Sequence, residues 1–180
     1  MTLLSSQRIH TGRVVSLDID TVQFPNGNVG TLEMFRHPGA AAILPFLDDP
    51  QADDPRVLLI RQFRHATGDF LWEIPAGRRD IDEHPEETAH RELREETGYR
   101  CGRLEKLTQI WTTPGFTDEV IHLYLAANLT SGESTLEPDE VLAVHQFRWS
   151  ELLQMLRTGV IVDCKTISAI LYTHLFVRHP

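Results

Sequence analysis

One acidic segment constrains the fold and function of this 180-residue chain more than any other feature. It spans residues 77–99 and reads GRRDIDEHPEETAHRELREETGY. Pro85 is typical of a first helical turn and Gly98 of the position just beyond a helix end, so the segment predicts a helix over 85–97. Carboxylates spaced i, i+3 and i+4 share one face of that helix, and they belong to Glu92, Glu95 and Glu96.

Three carboxylates on one helix face repel one another and need a positively charged partner. Like charges at this spacing destabilise an isolated helix by roughly 0.2–0.5 kcal/mol per pair. A divalent cation offsets the repulsion, because Mg²⁺ takes one or two carboxylates together with phosphate oxygens and water. Ala89 and Leu93 supply an apolar stripe that would pack the helix on a sheet. The alternative is a solvated helix face held by the pairs Glu87–Arg91 and Arg91–Glu95.

The surrounding residues favour the metal site, because the segment resembles a known signature, the Nudix box. That box reads G-x5-E-x7-R-E-U-x-E-E-x-G-U, where U is a bulky apolar residue. The matching residues are Gly77, Glu83, Arg91, Glu92, Leu93, Glu95, Glu96 and Gly98. Only the last position departs, with Tyr99 in place of an aliphatic residue, and we expect Tyr99 to pack into the core.

The resemblance extends from Arg36 to about Leu156 and implies the Nudix fold, a mixed β-sheet sandwiched between helices (α/β/α). Residues 77–83 would form the loop, and the predicted helix the second part, of a loop-helix-loop metal platform. Glu83 and Arg91 would form an ion pair that braces the loop against the helix, with Glu83 close to the metal ions.

The same resemblance implies a ligand set. Glu92 and Glu96 would be the principal metal ligands, Glu95 a ligand or the residue that holds a water, and the carbonyl of Ala76 a further ligand. Two or three Mg²⁺ ions, with Mn²⁺ as the alternative, would be the cofactors. Such a site can neutralise phosphate oxygens and lower the pKa of an attacking water.

Two flanking segments, 72–77 (WEIPAG) and 113–119 (TPGFTDE), resemble the ADP-ribose pyrophosphatase branch of the family. In that branch a proline lies 16 residues beyond the second glycine of the box, and Pro114 lies 16 residues beyond Gly98. An ordinary Pro-Gly turn is the alternative interpretation. The branch resemblance implies substrate contacts at Glu73, Pro114, Gly115 and Glu119.

Arginines and a loop glutamate complete the predicted site. Arg36, Arg61 and Arg64 match positions that bind phosphate in relatives, and we prefer Arg64. Arginine suits that role because its guanidinium is planar and always charged. The branch often takes its catalytic base from a loop near a late strand, where Glu140 is the best match and Glu137 the second. An ordinary surface glutamate is the alternative at both positions.

Patterns elsewhere in the chain predict an α+β fold. Alternation around the turn at 25–28 predicts a hairpin that ends with Val29–Phe35. Ser150 is expected to cap a helix through Arg157, and Asp163 to open the last helix. Apolar runs of strand length indicate a mixed β-sheet, and they span Ala40–Phe46, Val57–Phe63, Leu107–Thr112 and Val120–Ala126.

The composition limits the classes of molecule that the protein is expected to bind. The formal net charge of −9 disfavours binding to nucleic acid or to an anionic membrane, so an anionic substrate must meet local arginines or metal ions. No secretory signal or apolar segment long enough to cross a bilayer is apparent. Cys101 and Cys164 lack the spacing of a zinc site, and the expected location is the cytoplasm.

We expect two parts, an N-terminal β-segment (1–35) and a Nudix hydrolase domain (36–180). In the family the N-terminal strands commonly exchange across a homodimer, although an intramolecular sheet gives the same pattern. The expected reaction is the metal-dependent hydrolysis of the diphosphate linkage of a nucleoside diphosphate derivative, namely ADP-ribose to AMP and ribose 5-phosphate. The alternatives are a pyrophosphatase for GDP-mannose or another nucleotide sugar, and a non-catalytic domain that senses ADP-ribose.

Overall fold

The computed structural model describes residues 1–134 and 141–178. The strands are β1 (Thr2–Thr11), β2 (Ser16–Gln23), β3 (Val29–Arg36), β4 (Ala40–Pro45), β5 (Arg56–Arg64), β6 (Asp69–Glu73), β7 (Ala76–Arg78), β8 (Tyr99–Trp111), β9 (Val120–Ser131) and β10 (Leu142–Arg148). The helices are α1 (Pro85–Thr97), α2 (Trp149–Arg157) and α3 (Cys164–Phe176). In this part of the chain, no helix is long and apolar enough to cross a membrane.

Residues 1–39 and 111–120 form one compact unit around a three-stranded sheet. The predicted hairpin is confirmed, because β2 pairs with β3 in antiparallel register around a turn in which Gly27 has a φ of 86°. The sequence patterns did not predict β1, which pairs antiparallel with β2 and is exposed along its whole length. The N-terminal segment is therefore an antiparallel sheet, as expected.

Residues 40–110 and those from 121 onward form the second unit, which contains two sheets. The first has the order β7-β4-β9-β8 and is mixed, since β4 runs parallel to β9 and antiparallel to β7. The second has the order β10-β5-β6 and is antiparallel. The predicted mixed sheet is thus present, but the run that forms β5 belongs to its antiparallel neighbour.

Strand β4 is buried throughout, and its side chains alternate between two cores. On one face Ala41 and Ile43 join Ala89 and Leu93 of α1, which confirms the apolar stripe predicted for that helix. Tyr99 packs against this cluster, as expected. The opposite face contributes to a larger core with residues from α2 and α3, namely Ala40, Ala42, Leu44, Leu152, Ala169 and Ile170. Helices therefore cover both faces of the mixed sheet, which is the expected α/β/α arrangement.

The ends of the last two helices test the capping predictions. Asp163 caps α3 as expected, because its carboxylate accepts the Thr166 N–H at 3.0 Å. The predicted helix through Arg157 is present as α2, but its predicted cap was wrong, since the helix begins at Trp149 after Arg148 and Ser150 is not its cap. Ser150 instead donates its N–H and hydroxyl to Asp54, a partner 96 residues away that local sequence does not reveal.

Candidate active site

Local interactions fix both ends of α1 and so determine which of its residues share a face. His84 is the N-cap, and its backbone N–H donates to the side chain of Glu87 at 3.0 Å in a capping box. At the other end Gly98 adopts the left-handed conformation with a φ of 75°, which ends the helix there. The predicted bounds of the helix are therefore confirmed, and with them the position of its acidic face.

Two of the three predicted acidic residues are almost fully buried. Glu92 is 7% exposed and Glu96 is 2% exposed. Burying a carboxylate is costly unless hydrogen bonds or cations compensate its charge. Glu96 accepts the backbone N–H of Ala76 at 2.9 Å, which ties α1 to the start of β7. These two carboxylates are therefore packed against the protein and do not belong to a solvated helix face.

Arg91 connects the loop before α1 to the acidic face. It donates from Nε and Nη2 to the two carboxylate oxygens of Glu83, both at 3.0 Å, so the predicted ion pair is present and bidentate. Its Nη1 donates to Glu92 at 2.6 Å and to Glu95 at 3.1 Å. One guanidinium thus holds the loop carboxylate and two helix carboxylates together.

The surroundings of Glu83 keep its carboxylate ionised. The hydrogen bonds from Arg91 are the main cause that lowers its pKa to about 2, against the opposing effect of burial. The backbone N–H of Asp80 and the hydroxyl of Thr88 also donate to this carboxylate and lower its pKa further. The pKa of Arg91 is raised, chiefly by its hydrogen bonds to Glu83. The brace between loop and helix therefore stays charged at neutral pH.

The loop backbone lies directly against the acidic face. A Cβ atom on Gly77 would overlap the carboxylate of Glu92, so only glycine fits here without movement. Within residues 1–134 and 141–178, no three acidic, histidine or cysteine side chains converge closely enough to hold a metal ion by themselves. The groups at this turn that could bind a metal ion are the Glu92 and Glu96 carboxylates and the backbone of Ala76 and Gly77.

This donor set fits a hard divalent cation. Mg²⁺ commonly takes one or two carboxylates and completes its coordination with phosphate oxygens and water, so three converging side chains are not required. Among the described residues, four carboxylates surround this turn, those of Glu83, Glu92, Glu95 and Glu96, while the guanidiniums of Arg91 and Arg94 donate to them and that of Arg79 donates to the Glu83 carbonyl. The excess of negative charge provides the attraction for a cation.

A second charged group lies in the same unit and was only half predicted. Arg64 donates from Nε and Nη2 to the two oxygens of Glu73, both at 2.8 Å, and Glu73 is only 1% exposed. Lys165 of α3 is also buried, and its ammonium contacts Glu73 and donates to Asp163 at 3.0 Å. Sequence reasoning identified Arg64 and Glu73 but missed Lys165.

The other two candidate arginines have different partners. Arg36 lies in the unit of residues 1–39 and 111–120, where its guanidinium pairs with three carboxylates, those of Asp18, Asp20 and Asp118. Arg61 is exposed and lies over the rings of Phe70 and Trp72, 5.0 and 5.8 Å from their centroids. Of the three arginines, Arg36 is the one whose charge is most fully balanced by protein carboxylates.

The remaining predicted residues lie elsewhere. Pro114 and Gly115 are exposed in the loop before Glu119, and Glu119 accepts the hydroxyl of Thr112 at 2.9 Å. These residues belong to the first unit, as does Arg36. Glu137 and Glu140 lie outside the described residues. The structure therefore brings together the predicted metal ligands with Glu83 and Arg91, and separately pairs Arg64 with Glu73.

Comparison with known proteins identifies the fold that carries this geometry. A family profile described as NUDIX domain matches residues 36–167. The chain belongs to the Nudix family. A Nudix hydrolase and the α+β Nudix fold are the predictions made from the sequence, and both are confirmed. Nudix hydrolases generally require divalent metal ions, which agrees with the donor set around α1.

Relatives of this Nudix protein cover from 81% to 96% of its length. The methanol dehydrogenase activator of Bacillus methanolicus is 38% identical over 96% of this chain and 91% of its own. The ADP-ribose pyrophosphatase of Bacillus subtilis is 36% identical over the same shares of the two chains. The GDP-mannose pyrophosphatase of Cronobacter sakazakii is 37% identical over 81% of this chain and 78% of its own.

A solved structure supports the fold independently. The crystal structure of an ADP compounds hydrolase matches with a TM-score of 0.79 and covers 98% of this chain and 94% of its own. Its sequence identity is 23%, so this match supports the fold and not the substrate.

Proposed function

We propose that this Nudix hydrolase splits the diphosphate linkage of ADP-ribose and releases AMP and ribose 5-phosphate. The observation that carries the proposal is the pair of buried carboxylates, Glu92 and Glu96, set against the backbone of Ala76 and Gly77. The ADP-ribose pyrophosphatase of Bacillus subtilis, similar over almost the full length, supports ADP-ribose as the substrate.

The proposed cofactor is Mg²⁺ or Mn²⁺, with two or three ions in each site. Glu92, Glu96 and the carbonyl of Ala76 would hold them, and Glu95 would bind an ion or a water. Bound divalent ions supply charge neutralisation at the phosphate oxygens and a lower pKa for the attacking water. Arg91 would share Glu92 and Glu95 with these ions, because it donates to both carboxylates, and so would set how tightly they are held.

The protein side chains would bind the substrate and move the proton. Arg64, whose side chain is 40% exposed while its partner Glu73 is buried, is our choice for the residue that binds a phosphate. Glu140 would take the proton from the attacking water, with Glu137 as the second choice. Further substrate contacts are proposed for Arg36, Arg61, Pro114, Gly115 and Glu119, while Glu73, which is 1% exposed, would act through Arg64.

A second substrate is supported by a specific relative. The GDP-mannose pyrophosphatase of Cronobacter sakazakii is as similar in identity as the ADP-ribose enzyme, although it covers less of this chain. Both substrates carry a diphosphate between two sugars, so the acidic helix serves either one. A non-catalytic domain that senses ADP-ribose is disfavoured, because the chain retains every box glutamate.

Substrate comparison with purified protein tests the proposal. ADP-ribose, GDP-mannose and diadenosine polyphosphates are incubated with millimolar Mg²⁺ or Mn²⁺, and the products are detected as phosphate after treatment with phosphatase. We expect the highest kcat/KM for ADP-ribose. A higher kcat/KM for GDP-mannose would replace the proposed substrate, and tight binding of ADP-ribose without turnover would replace the catalytic proposal with the sensing one.

We also propose a cytoplasmic homodimer in which residues 1–35 contribute to the interface and residues 36–180 form the hydrolase domain. The support is the exposed strand β1, on which Leu3, Leu4 and Ile9 are each more than half exposed. An edge strand with exposed apolar side chains is a ready surface for pairing with another chain.

A further inference from the structure

The buried group formed by Arg64, Glu73, Asp163 and Lys165, here called the inner ion cluster, contains one residue with no assigned role. We propose that Lys165 is a positioning residue for substrate binding, since it balances the charge of Glu73 and so leaves Arg64 able to bind a substrate phosphate. The inference rests on the proposed function, because it takes Arg64 as the residue that contacts the phosphate.

Exposure distinguishes the members of the inner ion cluster. The side chain of Arg64 is 40% exposed, while those of Glu73 and Lys165 are 1% and 9% exposed. A dissolved ligand therefore meets Arg64 and not the two residues behind it. Lys165 acts on the ligand only through Glu73 and Arg64, which makes its role indirect.

The hydrogen bonds show why Arg64 needs this support. Nε and Nη2 of Arg64 donate to the two oxygens of Glu73. In the described part of the chain, Nη1 of Arg64 has no carboxylate partner. A carboxylate paired with a single guanidinium cancels the charge that a phosphate would meet. Without Lys165, Arg64 would stand alone against the Glu73 and Asp163 carboxylates, and the Lys165 ammonium makes the positive and negative charges of the inner ion cluster equal.

The position of Lys165 is fixed by the first turn of α3. Its ammonium donates to Asp163, and the other oxygen of that carboxylate accepts the N–H and hydroxyl of Thr166. The Thr166 hydroxyl in turn accepts the backbone N–H of Ile74, the residue after Glu73, at 2.9 Å. Thus α3 holds both the side chain of Glu73 and the chain that leads into Ala76.

The variant Lys165→Met tests the proposal, because it keeps the length and apolar stem of the side chain and removes its charge. We expect KM for ADP-ribose to rise about tenfold, because Glu73 then binds Arg64 alone and coupling between contacting charged residues is commonly of about this size. We expect kcat to stay within about threefold and Lys165→Arg to restore KM. The matched control is Lys106→Met, since Lys106 is the other lysine of the chain and is exposed.

The same substitution in Glu73→Gln protein distinguishes a role of Lys165 in positioning Arg64 from a role in stabilising the fold. In Glu73→Gln protein no carboxylate joins Lys165 to Arg64, so adding Lys165→Met should change the binding constant of ADP by less than about twofold. The same tenfold loss in both backgrounds would overturn the proposal. So would an unchanged KM in Lys165→Met, or no rescue by Lys165→Arg in protein of normal melting temperature.

Binding of ADP, measured calorimetrically with a chelator present, makes the test independent of turnover. If the wild-type protein binds ADP but does not hydrolyse ADP-ribose, the proposed function fails while the comparison of variants still decides the role of Lys165. Failure of wild-type protein to bind ADP would overturn the role of Lys165 as well. If Lys165→Met does not fold, the double variant, which removes the Glu73 carboxylate together with the Lys165 ammonium, is compared with Glu73→Gln: equal affinities support the proposal and a further loss overturns it.

Discussion

The close contact between Gly77 and Glu92 gives a sharp prediction for the variant Gly77→Ala. The added Cβ would overlap the Glu92 carboxylate, which is 7% exposed and accepts a hydrogen bond from Arg91 at 2.6 Å. Gly77 does not have a positive φ, so its backbone accepts alanine without strain. The cost of the substitution therefore comes from the displacement of the carboxylate and not from the backbone.

The structure sets the size of the effect. Loss of the hydrogen bond between Arg91 and the Glu92 carboxylate costs roughly 1.5–3 kcal/mol, and replacing glycine in the unfolded chain returns roughly 0.4–1 kcal/mol. The net loss of about 1–2 kcal/mol corresponds to a fall in melting temperature of about 2–8 °C for a chain of this size. Because Glu92 is a proposed metal ligand, we expect kcat to fall at least about a hundredfold.

Calorimetry and turnover of ADP-ribose measure these two effects. The matched control is Gly102→Ala, where the new Cβ would lie 3.3 Å from Asn128 and needs only a small shift. We expect the control to keep the melting temperature and kcat of the wild type within about 2 °C and twofold. If Gly77→Ala melts normally and turns over substrate within a few-fold of the wild type, then the loop does not confine Glu92 as described.

Three further predictions concern the brace, the base and the assembly. The lowered pKa of Glu83 stabilises the fold above its unfolded value near 4.5, and this stability is lost as pH falls toward 2. Glu83→Gln should therefore remove up to about 3 kcal/mol of the acid dependence of unfolding free energy in that window, and an unchanged slope would contradict the ion pair. Glu140→Gln should lower kcat at least about a hundredfold and leave Mn²⁺ affinity unchanged, whereas an unchanged rate would place the base elsewhere. Light scattering should give a dimer for the intact chain and a monomer after deletion of residues 1–11, and a dimer in both would exclude β1 from the interface.

Local signals predicted α1 to the residue, because both of its ends are set by nearby side chains. Pro85 and Gly98 act within one turn of the helix, so their meaning does not depend on the rest of the fold. The N-cap was not foreseen, since histidine is not among the residues that usually cap helices. The acidic face was predicted correctly because it depends only on helical spacing.

Strand pairing could not be predicted in the same way. The apolar run that becomes β4 is as compatible with a parallel as with an antiparallel partner, and its pairing with β9 depends on packing across two cores. Strand β1 was not predicted because its side chains are exposed on both faces. Burial therefore imposes no alternation of apolar and polar residues on its sequence. Its structure comes from hydrogen bonds to β2 rather than from a core.

The predicted site depended on contacts of short sequence separation or on family resemblance. Glu83 and Arg91 lie eight residues apart and were found, whereas Lys165 lies 92 residues from Glu73 and was missed. A lone lysine in the first turn of a helix usually belongs to the surface. One signal was available, since Lys165 lies four residues before the buried Ala169 and therefore on the apolar face of α3.

Metal binding by α1 is the central claim, and Glu96→Gln tests it most directly against Glu86→Gln. Glu96 is 2% exposed and is a proposed ligand, whereas Glu86 is an exposed residue in the first turn of the same helix. Mn²⁺ affinity, measured by electron paramagnetic resonance, and ADP-ribose turnover are compared in the two folded variants. We predict that Glu96→Gln loses both while Glu86→Gln keeps both. Wild-type affinity and turnover in Glu96→Gln would contradict the account.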